Sequence, residues 1–255
     1  MMWKAIGQSV TGTSHTATGK PCEDSVAYAI IPAHDGTEVL ACCVSDGAGS
    51  ARYAAWASAY VTHAVLEHAR RLATYNEELD ESRIYALCED LYDNLQLEAE
   101  RNEVPLNEYS CTLLGCIALH NRTAWFQVGD GALIHDDGAG GYATQWWPHN
   151  GEYQNTTSFL IDDQSMGHLE IVIVDEPVQE VAIFTDGLQM LTLNMESRSV
   201  HQPFFTDLFR YLRMADNEEK LTVLNSKLAA YLDGPAINQR TDDDKTLFLA
   251  TRLPA

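Results

Sequence analysis

Basic residues are scarce in this chain: 16 Lys and Arg face 37 Asp and Glu, leaving a net charge of −21. So acidic a surface repels nucleic acid and anionic membranes, and the Lys/Arg stripe a nuclease needs is missing. Long apolar runs are missing too. No stretch reaches the about 18 residues of a membrane-spanning helix, and the opening MMWKAIGQSVTG lacks the apolar core of a signal peptide. The six cysteines, Cys22, Cys42, Cys43, Cys88, Cys111 and Cys116, form no CxxC pair. Four of them lie in or beside strand-like runs, as expected of buried, reduced thiols in a cytoplasmic protein rather than a disulfide framework. There is no internal repeat, low-complexity tract or Pro/Gly/Ser linker, which predicts a single domain over residues 1–255. A GxSxG elbow, a P-loop and an HExxH helix are also absent.

What is present is a chain of 255 residues with 45% hydrophobic content, enough for one large core or at most two small ones. VAYAIIP (26–32) and EVLACCVS (38–45) read as strands joined by a turn at Asp35-Gly36. Over 51–73 the period becomes helical, with Ala55, Ala59, Thr62, Leu66, Ala69 and Leu72 on one face. A second helix is predicted over 80–101, with Ile84, Leu87, Cys88, Leu91 and Leu95 as its stripe. Strands return at 112–120, 123–129, 132–135 and 142–147, with a turn at Asp137-Gly138. A further strand pair is expected at 169–174 and 180–185, joined through Pro177. Helices are predicted around 187–193, 204–214 and 217–232, the last stopped by Asp233-Gly234-Pro235. KTLFLATRL supplies a final strand. This order points to an α+β protein: two antiparallel β-sheets packed as a sandwich, with helices on both outer faces.

Asp-Gly occurs six times, and three occurrences are explained as turns or a helix stop. The other three, Asp46-Gly47, Asp130-Gly131 and Asp186-Gly187, each follow an apolar strand. One such Asp reads most simply as a helix cap. Three of them, with further acids at Glu23-Asp24 and at Asp242, Asp243 and Asp244, favour a metal site, because clustered carboxylates repel unless a cation joins them. An all-oxygen ligand set suits Mg²⁺ or Mn²⁺.

In order along the chain, GTSHTATGKPCEDS, VSDGAGS, SCTLLG, VGDG, FTDG and TDDDKTLFLA resemble the motifs of the metal-dependent protein phosphatases of type 2C, bacterial branch. The resemblance runs from 7 to 250, and GEYQNTTSFL (151–160) is similar to a stretch of that branch's divergent subgroup. It implies two antiparallel sheets sandwiched by helices, and two Mn²⁺ or Mg²⁺ ions. Asp46 would bridge them, the Gly47 carbonyl would bind one, and Asp186 and Asp243 would complete the centre. Asp24, with Glu23 behind it, would hold a coordinated water. Asp130, with Asp186, would bind a third ion. The implied chemistry is attack of an activated water on a phosphoserine or phosphothreonine, with no protein nucleophile.

The chain departs from the family pattern at four places. Ala48 stands where many members have His, Ser50 where they have Gly, Gly19 where they have a phosphate-binding Arg, and Gly131 where they have Ser. Lys20 is the nearest substitute cation, the alternative being a solvated charge. His15 reads equally as a proton donor or a structural hydrogen-bond donor. Trp146-Trp147 reads as core or flap packing. The expected function is a phosphoprotein phosphatase opposed to a Ser/Thr kinase, acting in the cytoplasm without membrane or nucleic-acid partners. The rivals are a non-catalytic regulator of the same fold that binds a phosphorylated partner, and a small-molecule phosphoester hydrolase.

Overall fold

The computed structural model describes residues 2–148, 157–162 and 165–253. Most of the segment GEYQNTTSFL lies outside them. Along the chain come β1 (Lys4–Val10), α1 (Thr13–Thr18), β2 (Ser25–Pro32), β3 (Glu38–Ser45), α2 (Ala54–Tyr75) and α3 (Glu81–Arg101). Then follow β4 (Leu113–Ala118), β5 (Thr123–Val128), β6 (Ala132–Asp136), β7 (Tyr142–Thr144), α4 (Ser165–His168), β8 (Glu170–Val174) and β9 (Glu180–Phe184). The chain ends with α5 (Gln189–Thr192), β10 (Leu193–Asn194), β11 (Ser199–Val200), α6 (Gln202–Met214), α7 (Glu218–Leu232), α8 (Pro235–Asn238) and β12 (Lys245–Thr251).

These elements form two compact units. A terminal unit comprises Met1–Cys22, Gly131–Trp147 and Val178–Ala255, and a central unit comprises Glu23–Asp130 and Pro148–Pro177. Each holds one five-stranded antiparallel sheet: β1-β12-β9-β6-β7 in the terminal unit and β2-β3-β4-β5-β8 in the central one. The fold class is α+β, as the order of elements predicts.

In the central unit the apolar run of β3 has both faces buried, so it reads as continuous rather than alternating hydrophobicity. Val39, Ala41 and Cys43 share a core with Val61, Val65 and Ala69 of α2 and with Ile84, Leu87 and Leu91 of α3. Asp80 caps α3 by accepting the Arg83 N–H at 3.0 Å. All six cysteines are free thiols, and burial pushes Cys88 and Cys111 up to about 12, so they stay protonated. In the terminal unit Phe184, Leu247 and Leu249 of the sheet pack with Phe205, Phe209 and Leu212 of α6. Burying one such side chain contributes about 1.5–3 kcal/mol. The buried Glu180 carboxylate is held by Arg213, by the Tyr142 hydroxyl (2.9 Å) and by Thr251 (2.8 Å). Burial beside that carboxylate drives the Tyr142 phenol upward.

Several expected elements differ. Residues 169–174 and 180–185 are not a hairpin: β8 pairs only with β5, while β9 sits between β12 and β6 in the other sheet. Their burial separates them, since β8 is half-buried edge strand and β9 is buried throughout. The helix expected at 51–73 starts at Ala54, and its buried face runs through Ala57, Ser58, Val61, Val65 and Ala69, with Ala55 and Ala59 on its flank. Small residues on every side blur such a stripe. β1 and α1 carry too few large apolar residues to announce themselves. Trp147 packs half-buried against the terminal-unit core.

Candidate functional site

The predicted aspartates lie beside strand ends in both sheets. In the central unit the register Ser25↔Ser45 sets Asp24, just before β2, beside Asp46, just after β3. Asp46 is fixed by Thr112: its N–H donates to Thr112 Oγ1 and its carbonyl accepts the Thr112 N–H, both at 2.8 Å. The Ser45 hydroxyl donates to the Thr112 carbonyl at 2.5 Å. The Gly47 N–H donates to the Glu23 carbonyl at 3.1 Å, and that carbonyl also accepts the Ser58 hydroxyl at 2.6 Å. Glu23 and Asp24 are buried, while Asp46 is half-buried. Asp130 follows β5, whose Val128 pairs with Leu113 next to Thr112, and it accepts a hydrogen bond from Thr157.

A side chain at Gly47 would not fit. A Cβ there would stand 2.7 Å from the Ala54 carbonyl oxygen and 2.8 Å from that of Glu23. This close approach draws the backbone after Asp46 against the chain before Asp24.

The terminal unit builds a second edge from the end of β9 and the start of β12. Thr185 and Thr246 tie them together, the Thr246 N–H donating to Thr185 Oγ1 at 3.1 Å. Asp186 comes one residue after β9, beyond Thr185, and Asp243 and Asp244 lie just before β12. A Cβ on Gly187 would clash with the Asp244 carbonyl and stand 3.6 Å from Asp243 Cβ, so this edge also depends on glycine. Asp243 is exposed and its Oδ1 accepts the Asp244 N–H at 2.9 Å. Asp244 is buried; its Oδ1 accepts the Gly12 N–H at 2.6 Å and its Oδ2 meets His15 Nδ1 at 3.0 Å.

Neither edge aspartate caps a helix. The α2 N-cap is Tyr53 and the short turn at Asp186–Leu188 is preceded by Thr185; neither start has a side-chain cap. By contrast, Asp35 accepts the Thr37 N–H (2.9 Å) and hydroxyl, and Asp137 accepts the N–H groups of Ala139 and Gly141 (2.8 Å each). These donors hold both carboxyls below the usual aspartate value. Gly36 and Gly138 have φ of 82° and 71°, as their turns require.

Gly19 has a structural reason. It ends α1 at φ 73°, and its N–H and that of Lys20 close the helix onto Thr16 and His15 carbonyls. An arginine at that φ is strained. Lys20 follows it, exposed. Two residues of consequence lay outside the expected set: Thr112, which anchors Asp46, and Asp244, which orients His15. The motifs SCTLLG and TDDDKT contained both, but only pairing register reveals their roles.

The donors at both edges are oxygens, the chemistry that hard divalent cations select. Within either unit, no three described His, Cys, Asp or Glu side chains are gathered as a metal-binding group.

The α+β architecture, with one five-stranded antiparallel sheet in each unit, can be compared with known proteins. The model of the protein phosphatase 2C family matches residues 11–233. Serine/threonine-protein phosphatase 3 of Escherichia coli K12 is 36% identical over 251 residues, covering 98% of each chain. Among solved structures, the serine/threonine phosphatase Stp1 of Staphylococcus aureus has 18% identity and a TM-score of 0.60, over 99% of this chain and 96% of that one. RsbX, solved in complex with magnesium, has 16% identity and a TM-score of 0.55, over 98% and 95%. The chain belongs to the protein phosphatase 2C family. As a member it is a protein phosphatase of the serine/threonine class.

Proposed function

We propose that the protein hydrolyses phosphoserine and phosphothreonine in protein substrates with Mn²⁺ or Mg²⁺ as cofactor. Asp24, Asp46, the Gly47 carbonyl and Asp130 of the central unit, and Asp186 and Asp243 of the terminal unit, are the ligands we assign. Two ions are required by this reading, and a third is compatible with it. The observation that carries it is the repeated construction of the two edges: an Asp-Gly at a strand end, backbone locked by distant partners, with no room for a Cβ. Family membership and the magnesium complex of RsbX support the choice of metals. The family match runs through both units, which supports reading 1–255 as one catalytic domain.

When bound, such cations neutralise phosphoryl oxygens and lower the pKa of an attacking water. The protein's own part is positioning. Thr112 holds the Asp46 backbone from both sides, so its carboxylate is aimed before any ligand arrives. Glu23 supports Asp24 from the adjacent, buried position. Asp244 holds the His15 ring through Nδ1, and His15 is the residue we assign to exchange a proton with the leaving group. Lys20 is assigned to the substrate phosphate, as a point charge without the bidentate grip of Arg. Six free thiols, and the lack among described residues of a helix long and apolar enough to cross a membrane, support a cytoplasmic site of action opposite a Ser/Thr kinase.

The test is hydrolysis of an aryl phosphate and of phosphoserine and phosphothreonine peptides with Mn²⁺, Mg²⁺ or chelator. We expect turnover with either metal and background in chelator. Full activity in chelator contradicts the metal assignment, and no activity under any condition contradicts the enzyme reading in favour of a regulator.

A further inference from the structure

The terminal unit carries a second apolar surface that the catalytic reading does not use. On α6, Phe205, Phe209 and Leu212 are fully buried in the core, and Phe204, Leu208 and Tyr211 follow at i, i+4 and i+7, the first two half-buried against that core and Tyr211 exposed. On α7, Leu224, Leu228 and Tyr231 repeat that spacing, with Leu228 buried in the core, Leu224 half-buried against it and Tyr231 exposed. The two stripes line a groove of about 770 Å³ whose floor is Ile6 of β1 and Leu249 of β12. A second hollow of about 460 Å³ shares Tyr211, Leu224 and Lys227 with it and extends it toward Met214 and Val223. Tyr211, Met214, Val223 and Tyr231 are all 42% or more exposed. Large apolar side chains left exposed along the rim of a groove mark an interaction surface.

Charge says what fits there. Nearby ions are mostly paired already: Arg210 with Asp207 (3.2 Å), Arg213 with Glu180, and Lys220 with Asp216 (2.7 Å). Lys227 in mid-groove and Arg240 at one end line the groove, lie exposed, and have no side-chain partner among the described residues. Two acids also line it: Asp207 in the groove, paired with Arg210, and Glu219 in the second hollow. Two uncommitted cations over an apolar trough are unusual in a chain of net charge −21. The trough follows α7, which at 15 residues is about 22 Å long.

We propose that the α6–α7 groove docks an acidic amphipathic helix of a partner protein. Its apolar face would seat between the Phe204/Leu208/Tyr211 and Leu224/Leu228/Tyr231 stripes, with its carboxylates on Lys227 and Arg240. The shape favours a peptide over a compact small molecule, because the two hollows run on along the helices. The docking is independent of phosphate hydrolysis.

The probe is a fluorescein-labelled model helix about 14 residues long, with Leu at i, i+4, i+7 and i+11 and Glu on both flanks, beside the same peptide with Lys for Glu. Anisotropy should show saturable binding of the Glu peptide, weakened by salt, and weaker binding of the Lys peptide. The double variant Lys227→Glu/Arg240→Glu should bind the Glu peptide about fivefold to tenfold more weakly, as expected for two exposed ion pairs, and should favour the Lys peptide. Tyr211→Ala should weaken both. Each variant should keep wild-type melting temperature and aryl-phosphate turnover. Equal binding of the two peptides, or affinity unmoved by charge reversal, would overturn the proposal while leaving the phosphatase reading intact. So would a dimer in sedimentation that Tyr211→Ala dissociates, because the occupant would then be a second copy.

Discussion

Asp137-Gly138 and Asp46-Gly47 are the same dipeptide with opposite wiring. At the β6–β7 turn the carboxylate of Asp137 accepts N–H groups two and four residues on, so the side chain makes the local structure. At the end of β3 the backbone of Asp46 is held by Thr112, 66 residues away in sequence, and Gly47 by Glu23. There the structure makes the position of the side chain. Asp186 belongs with Asp46, because its strand end is tied to β12 through Thr185 and Thr246. An aspartate that stabilises its own loop is replaceable by another hydrogen-bonding residue. One held in place by distant backbone matches the ligand role we propose for Asp46 and Asp186.

The sharpest way to break this contrast is to remove charge at the edges. Asp46→Asn, Asp186→Asn and Asp243→Asn should each cost turnover beyond the about 10–100-fold typical of losing an outer partner of a metal ligand, with circular dichroism unchanged. Thr112→Val removes the acceptor of the Asp46 N–H and should cost within that range, measured as kcat with Mn²⁺. Gly187→Ala pushes a methyl into the Asp244 carbonyl and should destabilise the fold by about 1–3 kcal/mol in urea titration. The smallest effects belong to the turns. Asp35→Asn and Asp137→Asn should leave melting temperature close to wild type and turnover intact. Both turn carboxyls have their pKa lowered in the fold, so their stabilisation is present above the unfolded value of 3.8 and lost as pH falls through the folded one. In an acid titration, Asp137→Asn should therefore lose slightly less stability below pH 3.8 than the parent.

The turns at Asp35-Gly36 and Asp137-Gly138 and the helix stop at Asp233-Gly234 were legible in the sequence, because an Asp-Gly between two strand-like runs or at the end of a helical pattern stands out in one dimension. Ile84, Leu87, Leu91 and Leu95 of α3 were legible for the same reason: large apolar residues at helical spacing. Pairing partners were not. The short link at Pro177 suggested a hairpin, but β8 and β9 belong to different sheets, and their register is set by burial that no local pattern encodes. Thr112 and Asp244 were hidden likewise. A threonine beginning a strand and the third acid of a triplet look ordinary until the chain brings Asp46 to one and His15 to the other. The glycine in place of the family's arginine was visible, whereas its cause, a left-handed helix end at φ 73°, was not.

Calorimetric titration of Mn²⁺ into the wild type, Asp46→Asn, Asp186→Asn and Asp137→Asn tests the central claim most directly. The edge variants should bind at least about tenfold more weakly, while Asp137→Asn should titrate like the wild type. Wild-type affinity in Asp46→Asn and Asp186→Asn would contradict the assignment of the edge aspartates as metal ligands.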